Sequence, residues 1–126
     1  MKLPSNFRYT KEHEWFRQDD NEGVVGITDF AQNELGDIVF VEIETLGETL
    51  EAGAVFGTVE AVKTVSDLYM PVAGTIIAVN DNLEENPAAV NTDPYGEGWM
   101  IRIAPTDNTQ IDSLLDADAY QLMLES

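Results

Sequence analysis

Two runs rich in valine, isoleucine and threonine flank a short polar segment between residues 57 and 80. Such runs, separated by a few residues, predict a β-hairpin. Five apolar or small residues in and just before the first half of this region share one alternating phase: Val55, Gly57, Val59, Ala61 and Val65. An unbroken strand would turn Lys63 toward the apolar face, where an unpaired ammonium is costly to bury. We therefore expect the chain to reverse near residues 62–64 and to hold Lys63 in solvent.

Alternating apolar positions elsewhere predict further strands. These lie within residues 7–17, 24–27, 37–44, 50–59 and 99–103. Within 37–44 the alternation is regular, with Ile38, Phe40 and Glu42 set against Val39, Val41 and Ile43. The strands are separated by polar turns and by a long connection that contains Asn-Pro and Asp-Pro pairs. The pattern indicates a mainly β protein.

A short helix is predicted near residues 29–35. Asp29 is placed to cap its first turn, with Gln32 three residues further on, and Gly36 can adopt the left-handed conformation that ends many helices. The segment therefore carries both a start and a stop signal.

The C-terminal segment changes to a helical period. Its apolar residues recur near helical spacing and predict a helix near 109–124. Asn108 or Thr109 can start it, and Asp116 or Asp118 can restart it after a break. We expect its apolar face to pack on the sheet.

The composition supports one domain over residues 1–126, because 44% of the residues are apolar and can form a core. No stretch is long and apolar enough to span a membrane, and the first residues lack the features of a targeting peptide. We expect a cytoplasmic protein of bacterial type, although a mitochondrial matrix protein without its presequence would look the same.

The charge and the reactive side chains limit the classes of partner and of chemistry that the chain can support. The net charge is −18, from 24 acidic and 6 basic residues. Such a surface repels nucleic acid and anionic membranes and favours basic patches on other proteins, although the acidity is equally consistent with a solubility or salt-tolerance trait. The chain has no cysteine, so sulfur chemistry would have to come from an attached group. Its single histidine leaves little material for acid–base catalysis or a histidine-rich metal site.

Taken alone, a lysine in a turn is best explained by solubility. However, residues 60–69 read Glu-Ala-Val-Lys-Thr-Val-Ser-Asp-Leu-Tyr, and Pro-Val-Ala-Gly follows at 71–74. These residues resemble the lipoyl-attachment segment of the glycine cleavage system H protein family. Further segments resemble the same family in the same order: 9–15, 26–32, 35–41 and 93–99. The resemblance covers nearly the whole chain.

This resemblance implies a flattened barrel-sandwich hybrid of the lipoyl/biotinyl type, formed by a single lipoyl-carrier domain. It also implies that lipoate is joined by an amide bond to Lys63. A carrier of this kind needs a long flexible tether on a rigid, exposed turn, and the attached group supplies the chemistry that the chain itself lacks.

The resemblance also implies the partners. They are a glycine decarboxylase with pyridoxal phosphate, an aminomethyltransferase that uses tetrahydrofolate, a dihydrolipoamide dehydrogenase with FAD, and lipoate-attaching enzymes. The chain would carry the aminomethyl group and electrons between these enzymes as their shared substrate, without being an enzyme itself.

Four further residues are candidates for this site. Glu60 and Gly74 match the family positions read during lipoylation, although Glu60 could be an ordinary exposed strand residue and Gly74 could permit a bulge or a close backbone approach. Glu14 and Asp67 are candidates for a polar cleft that shelters the cationic aminomethyl end of the arm. His13 is interpreted as a structural hydrogen-bonding residue, and Trp15 and Trp99 as packing residues.

Several other readings remain open. A biotinyl domain would typically flank its lysine with methionines, whereas Val62 and Thr64 flank it here, and a lipoyl domain of a 2-oxo acid dehydrogenase would typically carry Asp-Lys-Ala. An H-like protein could instead relay lipoyl or octanoyl groups to other lipoyl domains. In a different class, the chain could be an acidic β-barrel adaptor whose Lys63 is never modified.

Overall fold

A computed structural model describes residues 3–125 and contains two antiparallel β-sheets with five short helices. The larger sheet has six strands, in spatial order β1 (Arg8–Tyr9), β2 (Glu14–Asp19), β3 (Glu22–Ile27), β9 (Ile101–Pro105), β8 (Gly74–Val79) and β5 (Thr49–Leu50). The smaller sheet has three, β4 (Ile38–Glu42), β6 (Val55–Ala61) and β7 (Val65–Tyr69). The helices are α1 (Asp29–Leu35), α2 (Asn82–Glu85), α3 (Ala89–Thr92), α4 (Thr109–Asp112) and α5 (Ala117–Glu125).

The main hydrophobic core lies between the two sheets. The larger sheet contributes residues such as Phe16, Ile76 and Ile103, and the smaller sheet contributes Phe56 and Leu68, all of them buried. Because each sheet buries one face against the other, neither forms a core alone. This arrangement confirms the predicted mainly β sandwich.

A second core lies on the other face of the larger sheet, under α5. Trp15 and Val24 belong to it, whereas their chain neighbours Phe16 and Val25 face the main core. Successive residues of β2 and β3 thus serve opposite cores, as the strand period of two requires. Trp15 is fully buried and its Nε1 donates to the Pro94 carbonyl at 3.0 Å, and Trp99 packs on the same core. Both tryptophans therefore have the packing role predicted for them.

Two β-bulges overturn the predicted alternation in the smaller sheet. In β4 a bulge between Ile38 and Phe40 leaves Val39 and Phe40 exposed. In β6 a bulge between Val55 and Gly57 turns Val55 outward and Phe56 into the core. An extra residue shifts the side-chain phase by one position. The regular alternation predicted over 37–44 is therefore wrong.

Val65 is also exposed, although it was predicted to share the phase of Val59 and Ala61, both of which are buried. The reversal at residues 62–64 separates Val65 from that strand, so the single phase does not continue across the turn.

Several predicted strand boundaries change as well. The segment 50–59 is divided between β5 and β6, because a turn that includes Gly53 (φ 85°) interrupts it. The early strand within 7–17 is similarly divided between β1 and β2. The last strand begins at Ile101 instead of residue 99.

The N-terminal cap of α1 is Thr28, one residue before the predicted Asp29. Thr28 Oγ1 accepts from the Ala31 amide at 3.2 Å, whereas Asp29 is the first helical residue and accepts from the Gln32 side chain at 2.7 Å. Gly36 ends the helix with φ 82°, and its amide donates to the Gln32 carbonyl, as the stop signal predicted.

The predicted C-terminal helix is divided into α4 and α5. Between them the chain approaches the larger sheet, where Tyr9 and Leu115 exchange two backbone hydrogen bonds at 2.8 and 2.9 Å. Asp116 Oδ1 then accepts from the Ala119 amide and caps the start of α5. Of the two residues predicted to restart the helix, Asp116 is therefore the one that does so. Among residues 3–125 no helix is long and apolar enough to cross a bilayer.

We expect Gly74→Ala to destabilise the fold. A Cβ at this position would lie 2.9 Å from the Ala104 carbonyl oxygen and 3.3 Å from Pro105 Cα, and backbone atoms paired across β8 and β9 cannot easily move. The expected loss in the free energy of unfolding is about 1–3 kcal/mol, measured by urea denaturation. The control is Glu60→Gln on an exposed position, which should change stability by less than about 0.5 kcal/mol. Equal stabilities for the two variants would contradict the prediction.

Candidate functional site

Lys63 lies at the tip of the hairpin formed by β6 and β7. The turn is closed by the Ala61 amide, which donates to the Thr64 carbonyl at 2.7 Å. The Val62 amide donates to the Asp37 carbonyl at 3.1 Å and ties the tip to the segment before β4. The strands end on either side of residues 62–64, so the chain reverses where the sequence predicted.

The Lys63 side chain is exposed. In the part of the chain that the structure describes, its ammonium forms neither an ion pair nor a hydrogen bond. Its stem lies across the end of α1, because a Cβ placed on Gly36 would be 3.5 Å from Lys63 Cε and 3.9 Å from Nζ. The amine is therefore open to acylation by an enzyme that approaches the tip.

A cleft of about 230 Å³ runs between α1, β7 and the segment before β2. Its walls are formed by Glu12, His13, Glu14, Ile27, Phe30, Ala31, Glu34, Leu35, Val59, Ser66, Asp67 and Leu68. Lys63 does not line the cleft itself, but its stem passes Gly36, the residue that follows the lining residue Leu35. Four lining residues are acidic and none is lysine or arginine. The site thus favours a cationic guest.

Glu14 is the buried acid of this cleft, with only 2% of its surface exposed. Thr10 Oγ1 donates to one carboxylate oxygen at 2.7 Å, and the Tyr69 amide lies 3.4 Å from the other. Burial raises the pKa of Glu14 to about 7, and these hydrogen bonds offset part of the increase. Near neutral pH this carboxyl therefore changes charge readily, and a cation beside it would favour the ionised form.

Asp67 lines the same cleft from β7 and is exposed. Its chain position is far from Glu14, and the fold brings the two carboxyl groups to one cavity. The structure thus places together the two acids that the sequence analysis singled out for a polar cleft.

Glu60 and Gly74 have different surroundings. Glu60 is exposed on the hairpin of Lys63, in register between Phe40 and Val65, which are 46% and 61% exposed. Gly74 is buried in the larger sheet and pairs with Leu50 and Pro105. The close approach of Gly74 to the Ala104 backbone gives this glycine a structural reason to lack a side chain.

His13 has the structural role predicted for it and a second one that the sequence analysis missed. Its Nδ1 is 2.6 Å from the Tyr120 hydroxyl, and its ring packs against Phe30 with centroids 4.8 Å apart. Its ring also lines the cleft. The sequence carried no signal for this, because α1 meets the segment before β2 only in the folded chain, where the Thr28 amide donates to the His13 carbonyl at 3.0 Å.

The cleft residues do not form a metal site. Within residues 3–125, no group of three or more histidine, cysteine, aspartate or glutamate side chains is arranged to hold a metal ion. The acids of the cleft are better suited to an organic ammonium group than to a coordinated metal.

Comparison with known proteins identifies the family of the chain. The family model described as "Glycine cleavage H-protein" matches residues 7–126. The chain is 56% identical over 126 residues to the glycine cleavage system H protein of Bacteroides fragilis, with all of both chains covered. It is 57% identical over 124 residues to the protein of the same name from Bacteroides thetaiotaomicron, with 98% of each covered.

A solved structure supports the same assignment. The crystal structure of a glycine cleavage system H protein from Mycobacterium marinum superimposes with a TM-score of 0.90 at 40% identity, covering 98% of this chain and 100% of that one. A family match over nearly the whole chain, close relatives of equal length and a shared fold all agree. The chain belongs to the glycine cleavage H-protein family.

Proposed function

We propose that this chain is the lipoyl carrier of the glycine cleavage system, with lipoate joined by an amide bond to Lys63. The observation that carries this proposal is the exposed, unpaired amine at a rigid hairpin tip beside an acidic cleft. When bound, lipoate supplies the dithiolane sulfur chemistry that a cysteine-free chain lacks. The chain's own residues present the amine, shelter what it carries and exclude water.

The partners follow from this role. The carrier visits a pyridoxal-phosphate glycine decarboxylase, a tetrahydrofolate-dependent aminomethyltransferase and a flavin dihydrolipoamide dehydrogenase, transferring the aminomethyl group and then electrons. Residues 1–126 act as one carrier domain, a shared substrate and not a catalyst. Relatives from bacteria support a cytoplasmic location.

The cleft holds the cationic end of the cargo. Glu14 and Asp67 supply carboxylates, and the apolar side chains of Phe30 and Leu68 limit the access of water. A cation beside Glu14 lowers its pKa from about 7 and recovers part of the cost of burying an ionised carboxyl. Binding of the cargo and ionisation of Glu14 therefore support each other.

Lipoate-attaching enzymes recognise the hairpin from outside. Glu60 is suited to direct recognition, because it is exposed near Lys63 between Phe40 and Val65. Gly74 acts less directly, through the backbone packing of β8 and β9.

The alternative functions are less favoured. A relay of lipoyl or octanoyl groups would use the same lysine, and an unmodified acidic adaptor would need neither the free amine nor the cleft. The relatives described above are named for the glycine cleavage system, which favours the carrier over both.

The direct test is Lys63→Arg, which keeps the positive charge but cannot be lipoylated. Protein from a lipoylating host should show the lipoyl mass increment by intact-mass spectrometry in the wild type and none in the variant. The exchange of the glycine carboxyl group with bicarbonate, catalysed by the cognate decarboxylase, should fall to background. The control is Lys11→Arg at another exposed lysine, which should retain both the increment and the activity. An unmodified wild type, or an active Lys63→Arg variant, would refute the proposal.

A second prediction concerns pH. Folding raises the pKa of Glu14 from 4.5 to about 7, so the folded state binds more protons than the unfolded state in this range. The contribution of Glu14 to the free energy of unfolding therefore falls as the pH rises from about 4.5 to about 7. Glu14→Gln removes this dependence, and its stability relative to wild type should rise by up to about 3 kcal/mol across the range.

Urea denaturation of the unlipoylated proteins at several pH values measures this difference. Glu12→Gln, an exposed neighbour in the cleft wall, is the matched control and should follow the wild-type profile. Parallel profiles for Glu14→Gln and wild type would show that burial does not perturb the Glu14 carboxyl.

A further inference from the structure

A buried tyrosine hydroxyl connects the two walls of the cleft. Tyr120 on α5 is fully buried and stacks on Tyr9 with ring centroids 4.9 Å apart. Its hydroxyl lies 2.6 Å from His13 Nδ1 and 2.9 Å from Thr28 Oγ1. His13 belongs to one wall of the cleft, and Thr28 caps α1, which forms the other.

The proton positions in this chain follow from the Thr28 hydroxyl. Thr28 is completely buried, and its Oγ1 already accepts from the Ala31 amide. Its own proton therefore needs an acceptor, and Tyr120 is the only other hydrogen-bond partner of that hydroxyl among the described residues. If Tyr120 donated to Thr28 instead, the threonine proton would be buried without a partner, at a free-energy cost. Thr28 thus donates to Tyr120, and Tyr120 donates to His13.

This direction fixes the tautomer of His13. A ring nitrogen that accepts a hydrogen bond carries no proton, so the neutral imidazole holds its proton on Nε2. Burial lowers the pKa of His13, while Glu12 from its own segment and Glu34 from α1 oppose this effect. The other titratable groups that face the cavity, Glu14 and Asp67, are also acidic. The hydrogen bond from Tyr120 adds to the effect of burial in favouring the neutral ring.

We propose that Tyr120 is a positioning residue of the cleft, which holds His13 as the neutral Nε2–H tautomer and so keeps positive charge out of the site that shelters the cargo of Lys63. The part of this inference that concerns the cargo rests on the proposed function, whereas the tautomer does not. A protonated imidazole would repel a cationic aminomethyl group and would compete for the carboxylates of Glu14 and Asp67. Tyr120 thereby leaves these carboxylates to the cargo.

The tautomer can be observed directly because His13 is the only histidine in the chain. Long-range ¹H–¹⁵N correlation spectra of the unlipoylated wild type, recorded above the His13 pKa, should show a protonated Nε2 and an unprotonated Nδ1. A predominant Nδ1–H form would overturn the inference without recourse to any variant.

Tyr120→Phe removes the donor. The variant should show a mixture of tautomers and a His13 pKa higher by about one pH unit, from an NMR titration of the ring. Tyr9→Phe is the matched control, because the Tyr9 hydroxyl donates to the Pro4 carbonyl and does not contact His13. Thr28→Ser keeps the hydroxyl chain and should preserve the wild-type tautomer. An unchanged His13 in Tyr120→Phe would overturn the proposal.

The role toward the cargo is tested with lipoylated protein in the decarboxylase exchange assay. Tyr120→Phe should match wild type at high pH and fall several-fold below it as the pH drops through the raised His13 pKa, whereas a purely structural defect would lower activity equally at every pH. A pH-independent ratio would overturn the charge role. Exchange that is absent from the wild type itself would refute the proposed function and, with it, the cargo role, and the NMR result would still decide the tautomer.

Discussion

The pairing of β6 with β7 determines where the Lys63 amine is held. Five register pairs align these strands, and two backbone hydrogen bonds at the tip join the turn to itself and to Asp37. A shift of one residue would exchange the two faces of the hairpin and move Ala61 and Val59 out of the core. The core between the sheets thus resists any register that would bury the lysine. Presentation of the amine is therefore a consequence of how the smaller sheet packs.

The cleft beside Lys63 is suited to a cation because its walls contain acidic residues but no lysine or arginine. Its four acids are met by no lysine or arginine within the lining, and one of them, Glu14, is buried without a cationic partner there. Such an arrangement is costly while the cleft is empty, because an ionised carboxyl loses its hydration. The raised pKa of Glu14 reflects this cost, because burial disfavours the ionised form of the carboxyl. A cationic guest would offset this cost, so part of the affinity for such a guest comes from relieving it.

Much of the fold and the exposed position of Lys63 could be predicted from the sequence, but the cleft could be predicted only in part. The hairpin was predicted from local composition, and Lys63 was singled out by a motif formed by the residues next to it. The phase of β4 and β6 was missed because each bulge adds a residue that breaks the strand period of two; only in β6 does a local signal accompany it, a glycine inside the strand at position 57. Thr28 was missed as a cap because Asp29 is an equally good cap by composition. Glu14 and Asp67 were proposed from resemblance, and nothing in the sequence spacing predicted that His13 and Tyr120 meet.

The contact between His13 and Tyr120 joins residues 107 positions apart, whereas the hydrogen bonds of the hairpin tip lie within residues 37–64. Closing a long loop costs more chain entropy than closing a short one, and during synthesis the second partner emerges late. The presentation of the amine and the hydrogen bonds behind the cleft therefore depend on different stages of folding. A newly made chain can form its turn while Tyr120 is still inside the ribosome, but the hydrogen-bond chain from Thr28 through Tyr120 to His13 is completed only once α5 has docked.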